Sequence, residues 1–71
     1  MKLKNYVRDK RMALGMTQDE LSEKLDVSRQ TIISLEKGKY NPSINLAFKL
    51  SKLFECTIED IFIYEGDEKD V

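Results

Sequence analysis

The chain is 71 residues long, 41% hydrophobic and 35% charged, with a formal net charge of -1, which gives room for one domain around one core. No apolar run approaches the roughly 20 residues that span a bilayer, and Met1 to Asn5 are not followed by the apolar stretch of a secretory signal, so a cytoplasmic protein without a membrane segment is expected. With no His and Cys56 as the single cysteine, an internal disulfide and a Cys/His zinc site are excluded, no metal or other cofactor is expected, and Cys56 reads as a small packed residue.

Short helices with clear punctuation follow one another along the chain. Tyr6, Val7, Lys10, Ala13 and Leu14 fall about one helical face, and Gly15 is the natural stop. Thr17 with Glu20 three residues on has the pattern of a capping box, and Leu21 and Leu25 follow at helical spacing, which predicts a second helix over about 18–25. Asp26 ends it. Ser28 offers a new N-cap only three residues after Leu25, and Ile32 and Leu35 supply the inward face of a third helix that Gly38 terminates. Asn41 precedes Pro42 and is therefore pushed out of the helical region, making 39–42 an extended turn. Ser43 caps a fourth helix with Leu46, Ala47, Leu50, Leu53 and Phe54 inward, and Thr57 with Asp60 caps a brief fifth that ends at Ile61 or Phe62. Phe62, Ile63 and Tyr64 read as extended and able to pair with residues near Leu3, closing the two ends of the chain.

Charge divides along the same line. Residues 1–54 hold 11 Lys/Arg against 6 Asp/Glu, whereas residues 55–71 hold 1 against 7. An acidic end held away from a polyanion lets the basic part approach it, so the pI of 5.4 does not exclude a nucleic-acid partner. The expected organisation is one domain over 1–64 and a solvated acidic tail over 65–71.

The second and third helices carry the functional signal, because a connection of about three residues forces a sharp angle and presents the outer face of the later helix to a groove. Thr17-Gln18-Asp19-Glu20-Leu21-Ser22, Val27-Ser28-Arg29-Gln30-Thr31-Ile32 and the exit Leu35-Glu36-Lys37-Gly38-Lys39 together resemble the Cro and phage-repressor (XRE-type) family of helix-turn-helix regulators. The likeness runs from about Val7 to Phe62, with Lys10-Arg11 and Leu14-Gly15 in register. It implies an all-α, compact five-helix bundle of the lambda-repressor-like type and a transcriptional regulator, in particular a repressor, that binds double-stranded DNA. Two positions depart from the family pattern: Asp26 stands where glycine is usual in the turn, and Ser22 where alanine is usual at a close helix approach.

Each matching position can be weighed on its chemistry. Arg29 and Gln30 sit in the first turn of the third helix, where Arg suits the O6/N7 pair of guanine and Gln the N6/N7 pair of adenine. Ser34 lies farther along that face with a hydroxyl for a base or phosphate, and Thr31 suits phosphate or the helix interface. Ile33 is expected to point outward, since Ile32 and Leu35 fill the inward face, either to meet a thymine methyl or as a singly exposed apolar residue with no role. Gln18, at the start of the second helix, has an amide and nearby free backbone N–H groups for a phosphate oxygen. Lys37, Lys39, Tyr40 and Asn41, just past the third helix, are placed to grip the backbone on its other side. The resemblance further implies an ion pair between Arg11 and Glu36, bracing the first helix against the third.

Ile58, Ile61, Phe62, Ile63 and Tyr64 exceed what a small core obviously needs, and a domain of this size buries only roughly 60% of its unfolded surface. Ile58, Ile61, Phe62 and Tyr64 are therefore expected at a homodimer interface, which would set two recognition helices one DNA turn apart on a palindromic operator. Catalysis has no support: there is no His, no phosphate-binding glycine loop and too little chain to enclose a pocket. The rival reading is an antitoxin or protein-interaction module on the same fold, with a regulatory protein as partner. The cationic and amide character of Arg29, Gln30, Lys37 and Lys39 favours DNA.

Overall fold

The computed structural model describes residues 3–64; the acidic segment 65–71, read above as a tail, lies outside them. The order of elements is β1 (Leu3–Asn5), α1 (Val7–Ala13), α2 (Gln18–Leu25), α3 (Arg29–Glu36), α4 (Ile44–Leu53), α5 (Ile58–Ile61) and β2 (Phe62–Tyr64). The five helices and the pairing of the two ends agree with the sequence reading.

Helix starts are set by hydroxyl side chains. Thr17, Ser28, Ser43 and Thr57 each accept a hydrogen bond from the backbone N–H three residues on, at Glu20, Thr31, Leu46 and Asp60, satisfying donors that no helical carbonyl can reach. At Thr17 and Thr57 the box is reciprocal, with the Glu20 and Asp60 carboxylates accepting from the cap's own N–H at 2.9 and 3.1 Å. Those bonds, the backbone one foremost, hold both carboxyls below their ordinary pKa values.

Helix ends share a second device. Met16 N–H reaches Arg11 O, Val27 reaches Ser22, Lys39 reaches Ser34 and Cys56 reaches Ser51, all at 3.0–3.1 Å, and in each case the intervening residue is left-handed: Gly15 (φ 69), Asp26 (φ 57), Gly38 (φ 73) and Glu55 (φ 53). This reversal satisfies the last carbonyls and turns the chain sharply. Asp26 thus adopts the left-handed conformation that glycine would take without strain, and its short polar side chain tolerates it.

The core consists of Val7, Leu21, Leu25, Ile32, Leu35, Leu46, Leu50 and Ile61, with Met16, Val27, Leu53, Phe54, Cys56 and Phe62 packed against it. Ser22, in the close helix approach, is buried with its hydroxyl donating to Asp19 O at 2.7 Å, so a polar residue sits there without an unmet donor. Lys49 of α4 donates to Leu25 O at the end of α2 at 3.3 Å. β1 and β2 pair antiparallel in the register Leu3 to Tyr64, Lys4 to Ile63 and Asn5 to Phe62, and Tyr6 N–H continues the link to Ile61 O at 2.8 Å.

The predicted face of the first helix needs correcting. Of its five residues only Val7 is in the core; Tyr6, Ala13 and Leu14 are exposed and Lys10 is half-buried. The helix stops at Ala13, so Leu14 leaves the face, and the inward place one turn after Val7 belongs to Arg11. The proposed interface set also changes. Ile61 is 0% exposed within its own chain, because α5 is a single turn and Ile61 is the residue it drives into the base of the bundle. Phe62 leans on the same core, Ile58 is half-buried, and Ile63 and Tyr64 are exposed.

Candidate nucleic-acid interface

Helices α2 and α3 meet through Leu21, Leu25, Ile32 and Leu35, all at most 2% exposed, and the left-handed Asp26 followed by the Ser28 cap sets the angle between them. Their N-terminal turns open onto the same side of the molecule. A shallow groove of about 310 Å³ there is lined by Arg11, Thr17, Gln18, Asp19 and Arg29. A second, of about 230 Å³, is lined by Arg8, Arg11, Gln18, Ile33, Glu36 and Lys37. Gln18 and Arg11 border both, so the surface runs continuously from the start of α3 to its end.

Beneath it lies a polar brace. Arg11 Nε donates to Glu36 Oε2 at 2.7 Å, Nη2 to Oε1 at 3.3 Å, and Nη1 to Met16 O at 2.7 Å. The two side chains are 11% and 5% exposed, and with the bidentate pair and the carbonyl each of the three guanidinium nitrogens donates a hydrogen bond. Gln18 Nε2 completes the network by donating to Glu36 Oε1 at 3.2 Å. The amide expected to reach a phosphate is thus engaged within the protein, and Glu36 joins the last turn of α1 and the start of α2 to the end of α3.

Among the remaining predicted site residues, Arg29, Gln30, Lys37, Lys39, Tyr40 and Asn41 are exposed, and Ser34 and Thr31 are half-buried. The Thr31 hydroxyl lies 2.9 Å from that of Ser28, engaged at the helix cap. Ile33 does not stand free as expected: it is half-buried beside Arg8 and Gln18, since α1 and α2 wall the side of α3 that a helical wheel leaves open. Two residues escaped the sequence reading. Arg8 lines the second groove from α1, one turn before the Arg11 that pairs with Glu36, and tertiary packing sets it beside Glu36 and Lys37. Asp19 lies with Oδ1 3.7 Å from Arg29 Nε, both side chains well exposed; its charge was counted in the sequence, but its neighbour ten residues away was not legible.

Among the described residues no three His, Cys, Asp or Glu are grouped to hold a metal ion, and no helix is long and apolar enough to cross a membrane.

A helix-turn-helix family model matches residues 7–61. The chain is 58% identical over 66 residues to an HTH-type transcriptional regulator of Methanocaldococcus jannaschii, covering 93% of this chain and 100% of that protein. An HTH-type transcriptional regulator of Archaeoglobus fulgidus is 48% identical over 66 residues, with 93% and 94% covered, and YgzD of Bacillus subtilis, of the same description, is 43% identical over 65 residues, with 92% and 98% covered. In fold the chain is similar to the restriction-modification controller protein C.AhdI from Aeromonas hydrophila, with a TM-score of 0.69, 24% identity, and 76% of this chain and 82% of that one covered. With the two capped helices, their left-handed turn and relatives matched along nearly their whole length, this chain belongs to the XRE-type family of DNA-binding helix-turn-helix transcriptional regulators.

Proposed function

We propose that the protein is a repressor that binds a palindromic operator in double-stranded DNA as a homodimer, with α3 in the major groove. The observation that carries this reading is the exposure of Arg29 and Gln30, side by side in the first turn of a helix whose far end is braced by Arg11 and Glu36. A fork of donors and a side-chain amide at that point suit the acceptor and donor edges of guanine and adenine. Ser34 and the flank of Ile33 follow along the helix, for a further base edge and a thymine methyl. Phosphates would be held by Lys37, Lys39, Tyr40 and Asn41 beyond α3, by Thr31, and on the opposite side by Arg8 and by Gln18 through the backbone N–H groups at the start of α2, its side-chain amide being held by Glu36. Ile58, Phe62, Ile63 and Tyr64 would form the interface between two copies; Ile61 supports it from within the core.

The test is selection from a random duplex library, followed by titration of the best duplex with wild type and the Arg29→Ala/Gln30→Ala variant at two salt concentrations. A palindromic site, affinity that falls with salt, and loss of sequence preference in the folded double variant are expected. A well-folded wild type with no enriched duplex and no salt-dependent binding would overturn the reading. Sedimentation equilibrium of free protein and complex checks the two-to-one stoichiometry.

A further inference from the structure

The surface proposed to meet DNA contains one acidic side chain whose position the helix caps do not explain. Thr17 and Glu20 already form the capping box of α2, and Asp19 accepts no side-chain hydrogen bond in it. Its Oδ1 lies instead 3.7 Å from Nε of Arg29, with the two side chains 69% and 62% exposed. Close to a phosphate backbone such a carboxylate opposes binding, and Arg29 has no other ion-pair partner among the described residues.

A guanidinium offers two bidentate edges, one containing Nε and one made of the terminal nitrogens. We infer that Asp19 is a specificity-determining, positioning residue: it engages the Nε edge of Arg29, directs the terminal Nη pair to the O6 and N7 acceptors of guanine, and makes the same arginine a poorer ligand for backbone phosphate. This inference rests on the reading of Arg29 as a base-contacting residue. Adenine presents a donor where guanine has O6, so an arginine held in this orientation meets donor with donor on the wrong base. Alone in water the exposed pair biases Arg29 by a factor of no more than about five. Docking into the groove removes water, and the bias grows with the fall in local dielectric.

The experiment uses the full chain and the duplex selected by wild type, with each base pair of a half-site replaced in turn, and a random duplex as reference. Wild type, Asp19→Asn, Asp19→Glu, Arg29→Ala and the Asp19→Asn/Arg29→Ala pair are titrated against this set, and thermal melts establish that each is folded. At the base pair where Arg29→Ala abolishes discrimination, Asp19→Asn is expected to cut it by about tenfold, and Asp19→Glu to retain it. Asp19→Asn should also raise affinity for the random duplex by roughly two- to fivefold, and both effects should vanish in the Arg29→Ala background. An equal change on every duplex, or an unchanged Asp19→Asn effect without Arg29, makes Asp19 a plain surface charge and overturns the inference alone. If Arg29→Ala alters discrimination at no base pair, the base-contact reading of Arg29 fails and the inference falls with it.

Discussion

The side-chain amide of Asn5 donates to the carbonyl oxygen of Leu35 at 2.8 Å, while its Oδ1 accepts from Val7 N–H at 3.2 Å. One residue thereby joins the end of β1, the first turn of α1 and the last turn of α3. The ribbon that closes the chain is tied to the base of the helix proposed to read DNA.

Asn5→Ala should destabilise the domain by about 1–2 kcal/mol, since it leaves a half-buried carbonyl and an N–H without partners. Asn5→Asp keeps the acceptor for Val7 but sets a carboxylate against the Leu35 carbonyl, so it should cost at least as much. Urea denaturation measures both, at one fixed protein concentration because the proposed pairing of two copies would make stability depend on concentration. Equal stability of Asn5→Ala and wild type would show that water replaces both bonds.

Glu36→Ala should be the most damaging polar substitution. It strands a guanidinium that is 11% exposed and releases Gln18, at a cost of about 3–5 kcal/mol. For a domain this small that is a fall in Tm of more than about 10 °C. Gln18→Ala leaves the Arg11 pair intact and should cost about 1 kcal/mol. Thermal melts followed by circular dichroism separate the two, and similar melting of both variants would contradict the dominance of the ion pair.

Glycine substitution at the two left-handed non-glycine residues should stabilise the fold. Glu55 (φ 53) has a Cβ that crowds the following carbonyl and no short polar group to compensate, so Glu55→Gly should gain about 1 kcal/mol. Asp26→Gly should gain less, about 0.5 kcal/mol, because Asp tolerates this conformation. A loss of stability in Glu55→Gly would mean that the entropy of the unfolded glycine outweighs the relieved strain.

The acid limb of stability should carry the signature of the two capping carboxylates. Glu20 and Asp60 have folded pKa values below their ordinary 4.5 and 3.8, so the unfolded chain binds protons first as the pH falls. Their contribution is complete above the ordinary values and is lost as the pH drops through the lower, folded ones. Tm measured against pH should therefore fall less steeply below about pH 4.5 in Glu20→Gln than in wild type. Parallel curves for the two proteins would remove Glu20 from the account.

The elements of the fold were legible in the sequence because their determinants are local. Thr17, Ser28, Ser43 and Thr57 bond to residues three positions away, and Gly15 and Gly38 reverse the chain where they stand, so a short window contains both partners. The inward stripes of α2, α3 and α4 follow from helical spacing alone. The pairing of Phe62–Tyr64 with Leu3–Asn5 was visible only as two short extended segments, and the tertiary fold supplied the register.

Local patterning sets the number and order of the helices, the capping residue that starts each of α2 to α5, and the side chains that α3 exposes in its first turn. Tertiary structure alone decided that Arg11 and not Leu14 faces inward, that Gln18 is engaged by Glu36, that Ile33 is half-buried and that Ile61 belongs to the core. It also brought Asp19 to Arg29 and Asn5 to Leu35. Each of these joins residues on different elements, and the free energy of such a contact depends on how the helices cross, a quantity that the spacing of residues within any one helix does not contain.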